Sequence, residues 1–103
     1  CGDLHERSPI PSLRVVKDNL DELQQLGAVG ETLGYFLKAD GSLVDHSLNR
    51  SVMAISLEAL RQKPVSILAS GGLYKAPVIR ATLAGGYVNH LVTDEAVARV
   101  LLG

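Results

Sequence analysis

Gly71, Gly72 and Lys75 are the residues whose types and spacing could most directly do chemistry. The apolar run over residues 65–68 reads as a buried strand, and the pattern over 76–83 reads as a helix. A Gly-Gly turn between a strand and a helix exposes backbone N–H groups at the positive end of the helix dipole. Glycine leaves no side chain in the way of an anion. Lys75, in the first turn, adds a point charge to the same place. A cation there opposes the dipole, so an anionic partner would explain it. The chemistry expected is the cradling of a phosphate. A plain strand-to-helix turn would need the same glycines for backbone shape alone.

The elements that must position this turn follow from periodicity and punctuation. Pro9 and Pro11 forbid a regular element near the start. Asp18 or Asn19 can cap a helix carrying Leu20, Leu23 and Leu26, which Gly27 ends. Residues 28–33 are expected as a short helical turn containing Glu31, and residues 35–37 as a strand. Asp40-Gly41 predicts a hairpin turn, with residues 42–44 as the return strand. After a polar connection, residues 52–55 read as a short strand. Ser56 caps a helix over 57–62 that Pro64 stops. Beyond the glycine turn, Pro77 sits in the first turn of a helix closed by Gly85-Gly86. Ala76, Ile79 and Leu83 are expected on its inward face. Residues 87–92 read as a strand, and Thr93 or Asp94 caps the last helix. Ala96, Val97, Val100 and Leu101 form its expected apolar stripe, and Glu95 and Arg99 its surface pair. The alternation from residue 52 on predicts an α/β fold, with a mainly parallel sheet and flanking helices. Ligands of such sheets sit beyond the carboxyl ends of the strands, where the turn at 69–75 lies.

The chain has 103 residues, 47% hydrophobic and 20% charged, with a net charge of −1. That suits one small domain with an aliphatic core, and no basic block suggests nucleic-acid binding. The single Cys, at position 1, forms no internal disulfide, so a reducing, cytoplasmic setting is expected. No apolar run reaches the roughly 18 residues of a membrane helix, and no signal peptide is visible. Cys1-Gly2-Asp3 reads as the end of a strand whose beginning is missing, so the chain is expected to be a piece of a longer protein. His46 and His90 show no metal-ligand spacing and read as surface histidines. Asp94 reads as a helix cap and Asn49 as a turn residue. Ser70 lacks the Gly-x-Ser-x-Gly setting of a nucleophile. Neither a catalytic group, a metal site nor a cofactor is expected.

Several separate stretches resemble one family. They are Gly27-Ala28-Val29-Gly30-Glu31, Tyr35-Phe36, Ala39-Asp40-Gly41, Ile55-Ser56-Leu57-Glu58-Ala59-Leu60-Arg61, Gly71-Gly72 with Lys75-Ala76, Gly85-Gly86, and Leu91-Val92-Thr93-Asp94-Glu95. In this order they resemble the effector-binding domain of SorC/DeoR-type bacterial transcriptional regulators, over roughly the whole chain. The resemblance implies a Rossmann-like domain of the NagB/RpiA/CoA-transferase type, of which residues 1–103 would be the C-terminal part. It implies a sugar or sugar-phosphate effector, a homo-oligomer, and DNA contact through a helix-turn-helix that has no counterpart here. It also implies that Gly71, Gly72 and Lys75 face the inducer's phosphate and that Glu31 accepts hydrogen bonds from sugar hydroxyls. Arg7, in the loop with His5 that borders the family's ligand cleft, would reach a second anionic group.

The alternative is a fragment of a sugar-phosphate isomerase-like enzyme, since fold does not settle function. Such an enzyme needs a general base near the substrate carbon, and Glu31 is the only residue with a suggestive setting. With a net charge of −1 and no recognition helix, these residues should have no sequence-specific affinity for DNA by themselves. A gel shift at physiological salt should show no preference for an operator over scrambled DNA. A clear preference would overturn that expectation.

Overall fold

Leu20 and Leu23 share one side of helix α1 (Leu13–Gln25), which Gly27 ends through a hydrogen bond from its N–H to the Gln24 carbonyl. The helix begins before Asp18 or Asn19, the caps expected from sequence. The structure, a computed structural model, describes residues 2–4, 13–50, 52 and 54–103. Arg7 and His5 lie outside the described residues.

Residues 28–33 do not form the helical turn expected of them. They are strand β1 (Ala28–Thr32), paired antiparallel with β2 (Tyr35–Lys38). The connection is the two-residue loop Leu33-Gly34, with φ values of 55° and 89°. Two positive φ angles match the right-handed twist of a hairpin. Leucine in place of the usual Asn hides that signal in the sequence. On its other edge β1 meets Gly2, whose N–H and C=O bond Glu31 at 2.9 and 2.7 Å.

Pairing sets the faces of this hairpin. Phe36 packs with Leu4, Leu23, Ala28 and Val44 under α1. Tyr35 and Leu37 face the opposite way, towards Ala81 and Tyr87. The turn at Asp40-Gly41 forms as expected, with Ser42 donating twice to Asp40 Oδ1, but the return is one bridge, Leu37 to Leu43, rather than a strand.

The polar connection contains a helical turn, α2 (Ser47–Arg50), placed by Asn49. The Asn49 amide accepts from Phe36 N and donates to the Phe36 and Val44 carbonyls, which makes it a tie rather than a simple turn residue. His46 is buried, not on the surface. Its Nδ1 accepts from Leu48 N and its Nε2 lies 3.4 Å from Glu22. Among the described residues of 52–55 no strand forms. Ser56 caps α3 (Leu57–Arg61) by accepting from Ala59 N, as its sequence position predicts.

The second half is the expected strand–helix–strand–helix unit. Strand β3 (Ile67–Ala69) runs parallel to β4 (His90–Val92), with α4 (Ala76–Ala84) between them and α5 (Glu95–Leu102) after. Both strands are shorter than expected. Ser66 and Asn89 bind each other's backbone at their starts instead of extending the ladder. The described strands form one antiparallel pair and one parallel pair, which is part of the expected α/β arrangement of strands and flanking helices. Leu68, Ile79, Val88 and Val97 form the core of this half, with Leu83, Leu91 and Leu101 at its margin. In α5 only Val97 of the expected stripe is fully buried; Ala96 and Val100 are exposed. Glu95 and Arg99 pair as expected.

Leu33 is 48% exposed and sits in the left-handed region, which costs a side chain such as leucine roughly 1–2 kcal/mol. Leu33→Asn should therefore raise stability by about 1 kcal/mol. Urea unfolding should show a higher midpoint with an unchanged slope. A lower midpoint would mean that the leucine contributes more by packing than its backbone costs.

Candidate functional site

The chain leaves β3 at its carboxyl end and turns through Ser70, Gly71 and Gly72 into a single 3-10 turn, Leu73–Lys75, which runs straight into α4. Gly72 has φ 97°, and a Cβ there would meet the Tyr74 ring at 2.7 Å. Both facts require glycine. Pro77 lies in the first turn of α4, where its missing N–H costs little. That first turn holds no acidic residue.

The carboxyl end of β4 arrives beside this turn. Asp94 caps α5 by accepting from Val97 N at 2.8 Å, and its second oxygen accepts from Gly72 N at 2.7 Å. A Cβ on Gly71 would lie 2.8 Å from that oxygen. Asp94 is thus more than the helix cap expected from sequence. It is an anion of the chain's own, seated on the glycine turn. The Val97 N–H first, and the Gly72 N–H second, hold its carboxyl below the usual 3.8. This explains Gly71 by the approach of Asp94, the structural alternative weighed above. No sequence signal links the two, because they meet only when β3 and β4 pair.

Lys75 is half-buried, with Nζ 5.5 Å from the Tyr74 ring centroid. Among the described residues no carboxylate pairs with it. The cation at the start of α4 therefore has an aromatic face beside it and no counter-ion among the described residues.

Glu31 lies elsewhere. It sits opposite Phe36 in the hairpin, on the face turned away from Ala81 and α4. Its Oε2 accepts from Gly34 N at 2.9 Å, closing the hairpin loop. Gly71, Gly72 and Lys75 are brought together, and no described contact joins Glu31 to them. Among the described residues no group of three His, Cys, Asp or Glu is placed to hold a metal ion, and no helix is long and apolar enough to cross a membrane.

A helix opening from a glycine turn, at the carboxyl ends of a parallel pair, is the ligand-binding arrangement of open α/β sheets. The chain belongs to the family described as "Putative sugar-binding domain", whose model matches residues 1–103. It is 44% identical over 77 residues to the transcriptional regulator LsrR of Klebsiella pneumoniae, covering 74% of this chain and 24% of that one. The chain thus spans about a quarter of the length of that relative. The full-length sorbitol operon regulator SorC of Klebsiella pneumoniae superposes with a TM-score of 0.78 at 31% identity, over 84% of this chain and 28% of that one. A sugar-binding domain of a transcriptional repressor from Vibrio fischeri gives 0.82 at 29% identity, over 98% and 41%. The fold is that α/β fold, in part, as the resemblance implied.

The folded-state pKa of Asp94 is depressed, so its contribution to stability is present above 3.8 and is lost as pH falls through the folded value. Asp94→Ala should lower the melting temperature at neutral pH, and the gap to the wild type should close in acid below 3.8. Asp94→Asn should fall between the two, because one amide oxygen cannot serve both Val97 N and Gly72 N. A gap that is constant with pH would show that the charge is irrelevant.

Proposed function

We propose that these residues are the effector-sensing part of a bacterial transcriptional regulator and bind a sugar or sugar phosphate. The observation that carries this is Lys75 at the start of α4, beside the Gly71-Gly72 turn and without a carboxylate partner among the described residues, in a chain of the sugar-binding family. The anionic group of the effector sits against Lys75. Because Asp94 occupies the Gly72 N–H, the attraction comes more from the Lys75 charge than from the turn's amides. Glu31 and Arg7 belong to the proposal through the resemblance: Glu31 as an acceptor for sugar hydroxyls, Arg7 as a second cation. The relatives are named as regulators, and the role read here is recognition, not catalysis. Glu31, the residue an isomerase would need as base, has one oxygen committed to Gly34. In the same reading the protein works in the cytoplasm as an assembly of several copies, and reaches DNA through residues outside these 103. Effector binding changes that assembly only as far as it favours one state over the other.

Lys75→Ala in the full-length protein should weaken binding of a sugar phosphate by about 10- to 100-fold, because a hydrogen bond to a charged group is worth roughly 1.5–3 kcal/mol. Binding of the matching free sugar should change far less. Calorimetry with both ligands tests this, and equal losses would remove the phosphate from Lys75.

A further inference from the structure

The turn at the head of α4 commits its backbone donors to the chain's own acceptors. Ser70 N–H donates to the Val92 carbonyl at 3.0 Å, and Lys75 N–H to the Gly72 carbonyl at 2.9 Å. Gly72 N–H donates to Asp94 Oδ2 at 2.7 Å. Of these three acceptors Asp94 is the charged one. It is also exposed, so it sits where an anion from solvent would sit. Gly71 admits it, since a Cβ there would lie 2.8 Å from Oδ2. Gly72 is covered from another direction by the Tyr74 ring, 2.7 Å from where a Cβ would stand. The Val97 amide first, and the Gly72 amide second, hold the Asp94 carboxyl below its ordinary value, which keeps it ionised at neutral pH.

A bare anion such as inorganic phosphate has only charge and hydrogen bonding to offer. It binds best where a backbone N–H adds to a lysine ammonium. With Asp94 in place the Gly72 N–H is filled, and a second negative charge stands close by. A sugar phosphate brings further contacts through its carbohydrate part, so its phosphate is held at Lys75 without that amide. Repulsion built against one class of ligand is a general source of specificity. We propose that Asp94 is a specificity-determining residue of the effector site, holding the Gly72 amide against bare anions so that Lys75 takes a sugar phosphate in preference to inorganic phosphate or sulfate. This rests on the sugar-phosphate reading of Lys75 and adds what that reading leaves open, the means by which simpler anions are refused.

The test uses the full-length protein and compares inorganic phosphate, sulfate, and hexose and pentose monophosphates by calorimetry. Asp94→Ser and Asp94→Asn each keep one oxygen to cap α5 and release the Gly72 N–H. Both should bind inorganic phosphate and sulfate about 10- to 100-fold more tightly than the wild type, the scale of a hydrogen bond to a charged group. Affinity for the sugar phosphates should rise far less, so the preference for them falls. Glu95→Gln removes the neighbouring carboxylate, which is paired with Arg99, and should change neither. Unchanged affinity for the bare anions in both Asp94 variants overturns the inference and leaves the Lys75 reading standing. An equal gain for bare anions and sugar phosphates also overturns it, as does a gain of the same size in Glu95→Gln, since the repulsion would then be general. If neither Asp94 variant folds, the inference fails as well, because Asp94 would be holding the structure rather than selecting a ligand. Absence of sugar-phosphate binding in the wild type and both variants overturns the sugar-phosphate reading, and this inference with it.

Discussion

The burial of α4 on two sides is the constraint on which the rest of the molecule depends. Val78, Ile79, Ala81 and Thr82 are all fully buried, because the hairpin covers one side of the helix, and α5 with the cluster of Leu68, Val88 and Val97 covers the other. Ala81 belongs to the hairpin's cluster and Ile79 to that of the parallel pair. Burying one aliphatic side chain contributes about 1.5–3 kcal/mol, so a single helix joins both halves of the fold. The polar member of the set is satisfied in turn. Thr82 Oγ1 donates to the Val78 carbonyl at 2.8 Å, so its one proton is used. The 2.8 Å contact between the two hydroxyls must then be Thr32 donating to Thr82. A threonine pair with a defined proton order pins β1 to α4, and α4 carries the glycine turn and Lys75 at its head.

How much of this was legible in the sequence depended on how local each cause is. Ser56, Asp94, Pro77 and the Gly85-Gly86 pair act within a few residues of where they stand, and each marks its element correctly. The strand at 28–32 was misread because its signal lies in Leu33-Gly34, whose left-handed leucine is tolerated only inside the assembled hairpin. Its apolar residues alone do not distinguish a short helix from a strand. His46 reads as a surface residue and Asn49 as a simple turn residue because their partners lie far off in sequence: Glu22 for the imidazole, Phe36 for the amide. At the candidate site the same division holds. The glycines and Lys75 announce themselves in sequence, whereas Asp94 reaches the turn only by tertiary pairing.

The parallel pair is covered on one face only. Leu68 and Leu91 pack inwards, while Ile67 and Val92 on the other face are 62% and 63% exposed. Parallel strands are ordinarily buried on both faces, because their unbroken apolar character has no solvent side. Val65, 60% exposed, adds to the same bare surface. The candidate site opens at the carboxyl ends of these strands. A segment laid on this face would border the site as well.

The charges around the turn form an arrangement in which position matters more than number. Asp94 sits on the Gly72 N–H and at the same time caps α5 through Val97 N. One carboxylate therefore holds two elements by charge-assisted hydrogen bonds, the stronger kind. Any anion placed on the Gly72 N–H competes with Asp94 and is repelled by it at close range. The start of α4 offers a different place, where Lys75 has a ring beside it and no carboxylate partner among the described residues. An anion approaching the turn would meet the free charge of Lys75 more readily than the Gly72 amide, which Asp94 already holds. If it comes close enough to loosen Asp94, the first thing weakened is the cap of α5. The turn and the last helix are thus linked through a single side chain, so occupancy at one can be felt at the other without any change in the core.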